Sequence, residues 1–251
     1  MKEKQSNLNK HSDMSTALNK SQLLDVMQIT NANFPIGTFS HSFGVETYIR
    51  KGMAETPDEL EKVIVAYLYE VFMTADLLAI KEIYRILDDD PEDLDTVFAL
   101  DEVIANQSMA KESRDGAKRI GTQMVKIYLE LYPDCEYLKA YQKKIKEKVC
   151  YGNPAVAFTL LGYYLGLSLS DAIYTHMYSS ITALIQNSVR AIPLGQVAGQ
   201  KLMFKVKHTY FDDVYDKVMK ANFEKDFCKN NPAYETAQME HEAIHVRLFM
   251  S

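Results

Sequence analysis

The sequence predicts an all-α protein, a single-domain bundle of about eight to ten helices. Three observations lead there. Apolar residues recur at three- and four-residue spacing along most of the chain, whereas no run alternates long enough for a strand. Gly (10) and Pro (7) are scarce in 251 residues, and Met (12) and Tyr (16) are plentiful, which disfavours a turn-rich β fold. Hydrophobic content is 47% and charged content 25%, the balance of a globular chain able to bury a large core.

A polar lead-in, residues 1–21, lacks an apolar signal stretch and is expected to be disordered. The helical domain then covers 22–251. Leu23, Leu24, Met27 and Ile29 predict a first helix over Gln22–Asn31. Within Asn31–Tyr48, Gly37 suits a turn and Ser40 is expected to cap a short helix from His41 to Tyr48, closed by Gly52. Thr56-Pro57-Asp58-Glu59 combines an N-cap, a first-turn Pro and a capping box. The helix it starts should reach about Leu87, with a break near Thr74, until Asp88-Asp89-Asp90-Pro91 stops it and caps the next. Leu94 to Ile104 and Lys111 to Tyr132 predict two more helices, with Gly121 at a close crossing and Pro133 as terminator. Tyr137–Val149 is amphipathic, its five lysines forming a solvated face. Asn153-Pro154 opens an apolar helix, and Ser170 is expected to cap another running to Val189. Asn222–Glu235 reads as loop and 236–251 as a binding tail.

Several function classes are excluded by composition. Net charge is -6, which disfavours nucleic acid and anionic membrane as partners. The three isolated cysteines Cys135, Cys150 and Cys228 form no CxxC pair and fit a reducing, cytoplasmic compartment. The uncharged run Val149–Ser170 holds only 13 apolar-rich residues, Ala155–Leu167, short of the roughly 20 a membrane span needs. No nucleophile elbow, phosphate loop or dinucleotide fingerprint is present.

Three stretches carry unusual chemistry. Asn31–Tyr48 crowds Phe34, Pro35, Gly37, Phe39, His41, Ser42, Gly44 and Glu46 together. Its polar groups need partners if buried, so it reads as a presented surface element. In Ser188–Gln200, Pro193 should kink or end a helix, and Gly195 and Gly199 lie on one face where another backbone could approach. Gln196 and Gln200 flank that face, and Arg190 precedes the kink. In the tail, His241-Glu242-Ala243-Ile244-His245 fits the H-E-x-x-H pattern of zinc hydrolases. A third protein ligand is needed, and none of the residues after His245 is His, Asp, Glu or Cys. The alternative is an anchor built from Arg247, Leu248 and Phe249. The sequence chemistry points to an interaction protein rather than an enzyme.

Together the three stretches resemble the urease accessory protein UreF family. The first matches a motif like FPxGxFxHSxGLE, with Val45 in place of Leu. The second matches R-x-I/L-PLGQ-xx-GQ through Arg190, Ile192, Pro193, Leu194, Gly195, Gln196, Gly199 and Gln200. The third matches HE followed by RLFxS through His241, Glu242, Arg247, Leu248, Phe249 and Ser251. Glu112-Ser113-Arg114 and Gly121 form a weaker central match, and His245 lies outside the pattern. The resemblance implies a non-catalytic, dimeric scaffold that bridges UreD (UreH) and the GTPase UreG in the complex delivering nickel to the urease apoprotein. It implies that nickel and GTP are handled by the wider complex, with no cofactor held tightly by this chain. By position, it places partner contacts at Phe34–Glu46 and Arg247–Ser251.

Overall fold

The computed structural model describes residues 18–229 and 231–251; the lead-in expected over 1–21 lies outside them up to residue 17. Eleven helices and no strand occur among the described residues. They are α1 (Lys20–Ile29), α2 (Val45–Arg50), α3 (Pro57–Asp89), α4 (Leu94–Ala105), α5 (Lys111–Leu131) and α6 (Glu136–Lys146). There follow α7 (Pro154–Tyr164), α8 (Leu169–Ala191), α9 (Gln196–Lys220), the single turn α10 (Phe223–Asp226) and α11 (Pro232–His241).

The organising element is α3. Thr56 accepts from the Glu59 N–H while the Glu59 carboxylate accepts from the Thr56 N–H, the reciprocal box read from the sequence. The break expected near Thr74 is instead a π-helical segment, Leu68–Leu77, within one continuous helix. The Thr74 hydroxyl donates to the Val71 carbonyl inside it, competing with the regular ladder. By length and composition α3 could cross a membrane, but 61% of its most apolar window is buried by its neighbours, as in a core helix. Chief among those neighbours are α7, α8 and α9, with α4 packed on its C-terminal part. Lys81 on α3 donates to the carbonyls of Val218, Met219 and Ala221 (2.8–3.0 Å), placing a cation on the C-terminal end of α9.

The close crossing expected at Gly121 is present on α5. A Cβ there would sit 2.0 Å from the Gly152 carbonyl oxygen. Asp101, fully buried, fixes the facing turn by accepting from the backbone N–H groups of Tyr151 and Asn153. The apolar run after Asn153-Pro154 is the eleven-residue core helix α7.

Local boundaries differ from expectation in several places. Asp93 rather than Asp90 caps α4, and Ser168 rather than Ser170 caps α8, accepting from the Asp171 N–H. Pro193 ends α8 outright, since α9 begins anew at Gln196. Leu23, Leu24 and Met27 on α1 are 47–65% exposed, so that helix buries only Val26 and Ile29. The stretch read as loop contains α10 and the start of α11.

Candidate functional site

The first motif is not a surface helix. Gly37, with φ +89°, turns the chain into a short 3₁₀ turn, Thr38–Ser40. Ser40 caps nothing; α2 starts only at Val45. Between them, Phe43 (φ 47°) and Gly44 (φ 95°) are consecutive left-handed residues. At the start of this turn the N–H groups of Ser42 and Phe43 converge on one point, an anion-type nest. The Ser251 carbonyl oxygen occupies it, accepting from both N–H groups at 2.5 and 3.1 Å and from the Ser42 hydroxyl at 2.9 Å. Gly44 also seats α2 against α11, because a Cβ there would meet the Gln238 side chain at 2.9 Å.

Beside the nest lies a buried polar cluster. Glu46 is 1% exposed. One of its oxygens accepts from the Leu248 N–H (2.8 Å); the other accepts from the Phe249 N–H and faces His241 Nε2, both at 3.1 Å. His241 Nδ1 lies 2.9 Å from Glu112 on α5, whose other oxygen pairs with Arg247. Burial pushes the Glu46 carboxyl up, but the N–H groups of Leu248 and Phe249, together with His241, hold it below the usual range. Glu112 is likewise lowered against burial, by Arg247 and His241. His41, 4% exposed, lies 2.7 Å from the Ser251 hydroxyl through Nδ1. Burial first, then the electrostatic influence of Arg119 and His241, lowers its imidazole to about 4.

Glu242 has a separate task. Its carboxylate accepts from the Lys111 and Glu112 N–H groups (3.0 and 3.4 Å). Ala110, the N-cap of α5, supplies no side-chain cap, so a residue far along the chain caps that helix. This also resolves the zinc motif. The helix ends at His241 with Glu242 as C-cap, so His245 is not one turn further on the same face. Both His241 nitrogens already face carboxylates.

Arg190 joins the second motif to the other two. It donates to the Phe39 carbonyl at 2.9 Å, and its guanidinium lies 6.0 Å from the Phe39 ring and 5.7 Å from the Phe249 ring. Of its companions, Gly199 packs under Val189, where a Cβ would meet a methyl at 2.8 Å, whereas Gly195 has open space around it. Pro193, Gly195 and Gln196 are exposed at the α8–α9 turn, and Leu194 is half-buried. Gln200 lines an open groove of about 650 Å³ with Arg190, Met27, Phe39 and Tyr178.

Sequence reasoning missed Asn187. Its amide donates to the carbonyls of Thr38 and His41 (2.8 and 2.7 Å), tying the first motif to α8. Its position three residues before Arg190 was the available signal. The tail itself alternates: Phe249 and Ser251 are buried, while Val246, Leu248 and Met250 are 74, 58 and 52% exposed. Phe34 and Pro35 lie at the entry to the segment, Phe34 buried against Tyr128.

Comparison with known proteins gives a consistent answer. The UreF family profile matches residues 54–207. The urease accessory protein UreF of Ureaplasma urealyticum serovar 10 is 56% identical over 229 residues, covering 91% of this chain and 96% of that protein. The protein of the same name from Lachnoclostridium phytofermentans is 36% identical over 229 residues, covering 91% and 98%. With motifs, helical fold and relatives in agreement, the chain belongs to the UreF family of urease accessory proteins.

Proposed function

We propose that this chain is a non-catalytic, cytoplasmic scaffold of urease maturation. It bridges UreD (UreH) and the GTPase UreG, works as a homodimer, and leaves nickel and GTP to the wider assembly that loads the urease apoprotein. Besides the family, one observation supports the reading: the three motifs meet on one face although Arg190 lies 151 residues from Phe39 and Phe249 lies 203 from Glu46. A catalytic centre aims reactive groups at a cavity. Here the polar groups are spent on each other, and the side chains left outward are Phe39, Val246, Leu248 and Met250. That is the composition of a contact surface.

The geometry also bears on the roles of single residues. His41, Ser42, Glu46, His241 and Ser251 hold the surface in shape from below, while Phe39, Leu248 and the exposed turn at Pro193–Gln196 touch partners. Arg190 supports that face and is not an arginine finger, since its guanidinium is already bonded to Phe39. Complex formation in a pull-down of UreD and UreG with and without this protein tests the scaffold. Removal of Arg247–Ser251 should leave a folded helical protein that no longer captures UreD; normal co-purification would refute the tail's role. Loss of UreG GTP hydrolysis in Arg190→Ala with normal assembly would refute the assignment of Arg190.

A further inference from the structure

We infer that the docking of residues 242–251 is a proton-sensitive latch, held at His41 and Glu46, which acid releases while the bundle stays folded. The latch has two sides. On the bundle side stand His41, the nest at Ser42–Phe43, Glu46 on α2, Glu112 and Arg119 on α5, and His241 on α11. On the tail side stand the N–H groups of Leu248 and Phe249, the Arg247 guanidinium, and the hydroxyl and carbonyl of Ser251.

His41 lies directly beneath Ser251, to which its ring is hydrogen-bonded. The ring is 4% exposed, and its Nδ1 sits so close to α5 that a Cβ at Gly116 would be 2.7 Å away. Charge on this ring would face Arg119 and, across the cluster, His241. The wall toward α8 offers the neutral Asn187 amide, which is already bonded to the His41 carbonyl. The cavity on that side also holds Asp76, Arg114, Asp115, Lys118, His176 and Glu235. Glu235 accepts from the Met109 N–H, and the ring's own hydrogen-bond partner is the Ser251 hydroxyl.

The sign follows. With the tail docked, His41 resists protonation until about pH 4; with the tail lifted, the ring gains water and titrates higher, toward its ordinary 6.5, with Arg119 and His241 still opposing its charge. Between those limits the open form binds one proton more than the closed form. Opening then becomes more favourable on acidification, by at most about tenfold per pH unit. Glu46 acts in the same direction at lower pH. Its carboxyl is lowered by the tail's own N–H groups, so protonation removes their acceptor and favours release as pH falls below the ordinary carboxylate range. The contacts of His241 with Glu46 and Glu112 lie wholly on the bundle side and persist in both forms. The consequence for partner capture rests on the scaffold reading; the latch itself does not.

Amide hydrogen exchange on the isolated full-length chain tests it without any partner. After correction for intrinsic rates, protection of the Leu248, Phe249 and Met250 amides should fall several-fold, by up to about fifteenfold, from pH 6.5 to pH 5, with Ile181–Ile185 amides of α8 unchanged. In His41→Gln the fall should be absent over that range. Constant tail protection in the wild type, parallel loss of tail and α8 protection, or an equal fall in His41→Gln would each overturn the latch. If His41→Gln does not fold, the wild-type profile decides, and His41→Asn serves as the second variant. Because no UreD or UreG is present, a failed latch and a failed scaffold assignment give separate readings.

Discussion

Along α7, Ala155, Val156, Ala157, Leu160 and Leu161 are all completely buried and carry no polar side-chain atom. Beneath the tail, His41, Ser42, Glu46, His241 and Ser251 are 1–4% exposed and every one of them carries such an atom. Burial alone therefore does not distinguish the two regions; the chemistry that repays it does. The core gains about 25 cal/mol per Å² of apolar surface from contacts that are non-directional and indifferent to pH. The tail contacts are directional, each group satisfied by one named partner, and losing a partner leaves a buried group unpaired. The core should tolerate change that conserves volume, and the latch should tolerate almost none.

The largest effect is expected where the core has no spare volume. Gly121→Val drives a side chain into the Gly152 backbone, already 2.0 Å from an ideal Cβ, and neither partner is a flexible side-chain end. We expect a loss of about 3 kcal/mol or failure to fold, seen in urea denaturation as loss of α-helical signal and tail docking together. A folded variant of wild-type stability would show that the α5–α7 approach is not structural and would break the contrast at its apolar end.

Glu46→Gln comes next. It keeps the volume but swaps one of two acceptor oxygens, serving Leu248, Phe249, His241 and Arg50, for an amide that donates. We expect about 2 kcal/mol of lost tail docking. At neutral pH the readout is faster tryptic cleavage after Arg247, with urea unfolding of the bundle shifted far less than in Gly121→Val. Unchanged cleavage would show that the N–H contacts do not hold the tail. Asn187→Ala should cost less, about 1–2 kcal/mol for two carbonyls, Thr38 and His41, that lose their donor. Its readout is increased cleavage or exchange within 38–44 rather than within the tail.

The same contrast explains what was legible in the sequence. Helical periodicity reports apolar burial, so α3, α5, α7 and the apolar face of α8 could be read directly, and Gly121 stood out as a crossing. Caps are set by backbone geometry over one or two residues, so they fall at Ser168 and Asp93 rather than at the expected Ser170 and Asp90. The three motifs identified the right stretches, but not their orientation. Nothing in Asn31–Tyr48 alone reveals that Glu46 points inward, because its partners Leu248 and Phe249 lie in the tail. Local reading therefore placed His41 and Glu46 on an outer surface, and long-range pairing placed them beneath it. Glu242 is the same case: H-E-x-x-H looks local, whereas its carboxylate caps a helix that begins at Lys111.

Leu248→Asp probes the boundary between the two regions and should barely alter stability. The backbone N–H of Leu248 belongs to the latch through Glu46, but its side chain is 58% exposed between two equally outward neighbours, Val246 and Met250. Substitution removes apolar surface from the outer face without touching any inward group. Surface changes of this kind fall within about 0.5 kcal/mol, so tryptic cleavage after Arg247 and urea unfolding should match the wild type. Capture of UreD should fall by tenfold or more, because a carboxylate desolvated in an apolar contact has no partner there. The corresponding inward change, Phe249→Ala, should raise cleavage after Arg247 as well as weaken capture. If Leu248→Asp releases the tail, its outer face is part of the latch; if capture is unaffected, the exposed residues 246, 248 and 250 are not the contact surface. Equal behaviour of the two variants would remove the distinction between a tail that is held and a tail that holds.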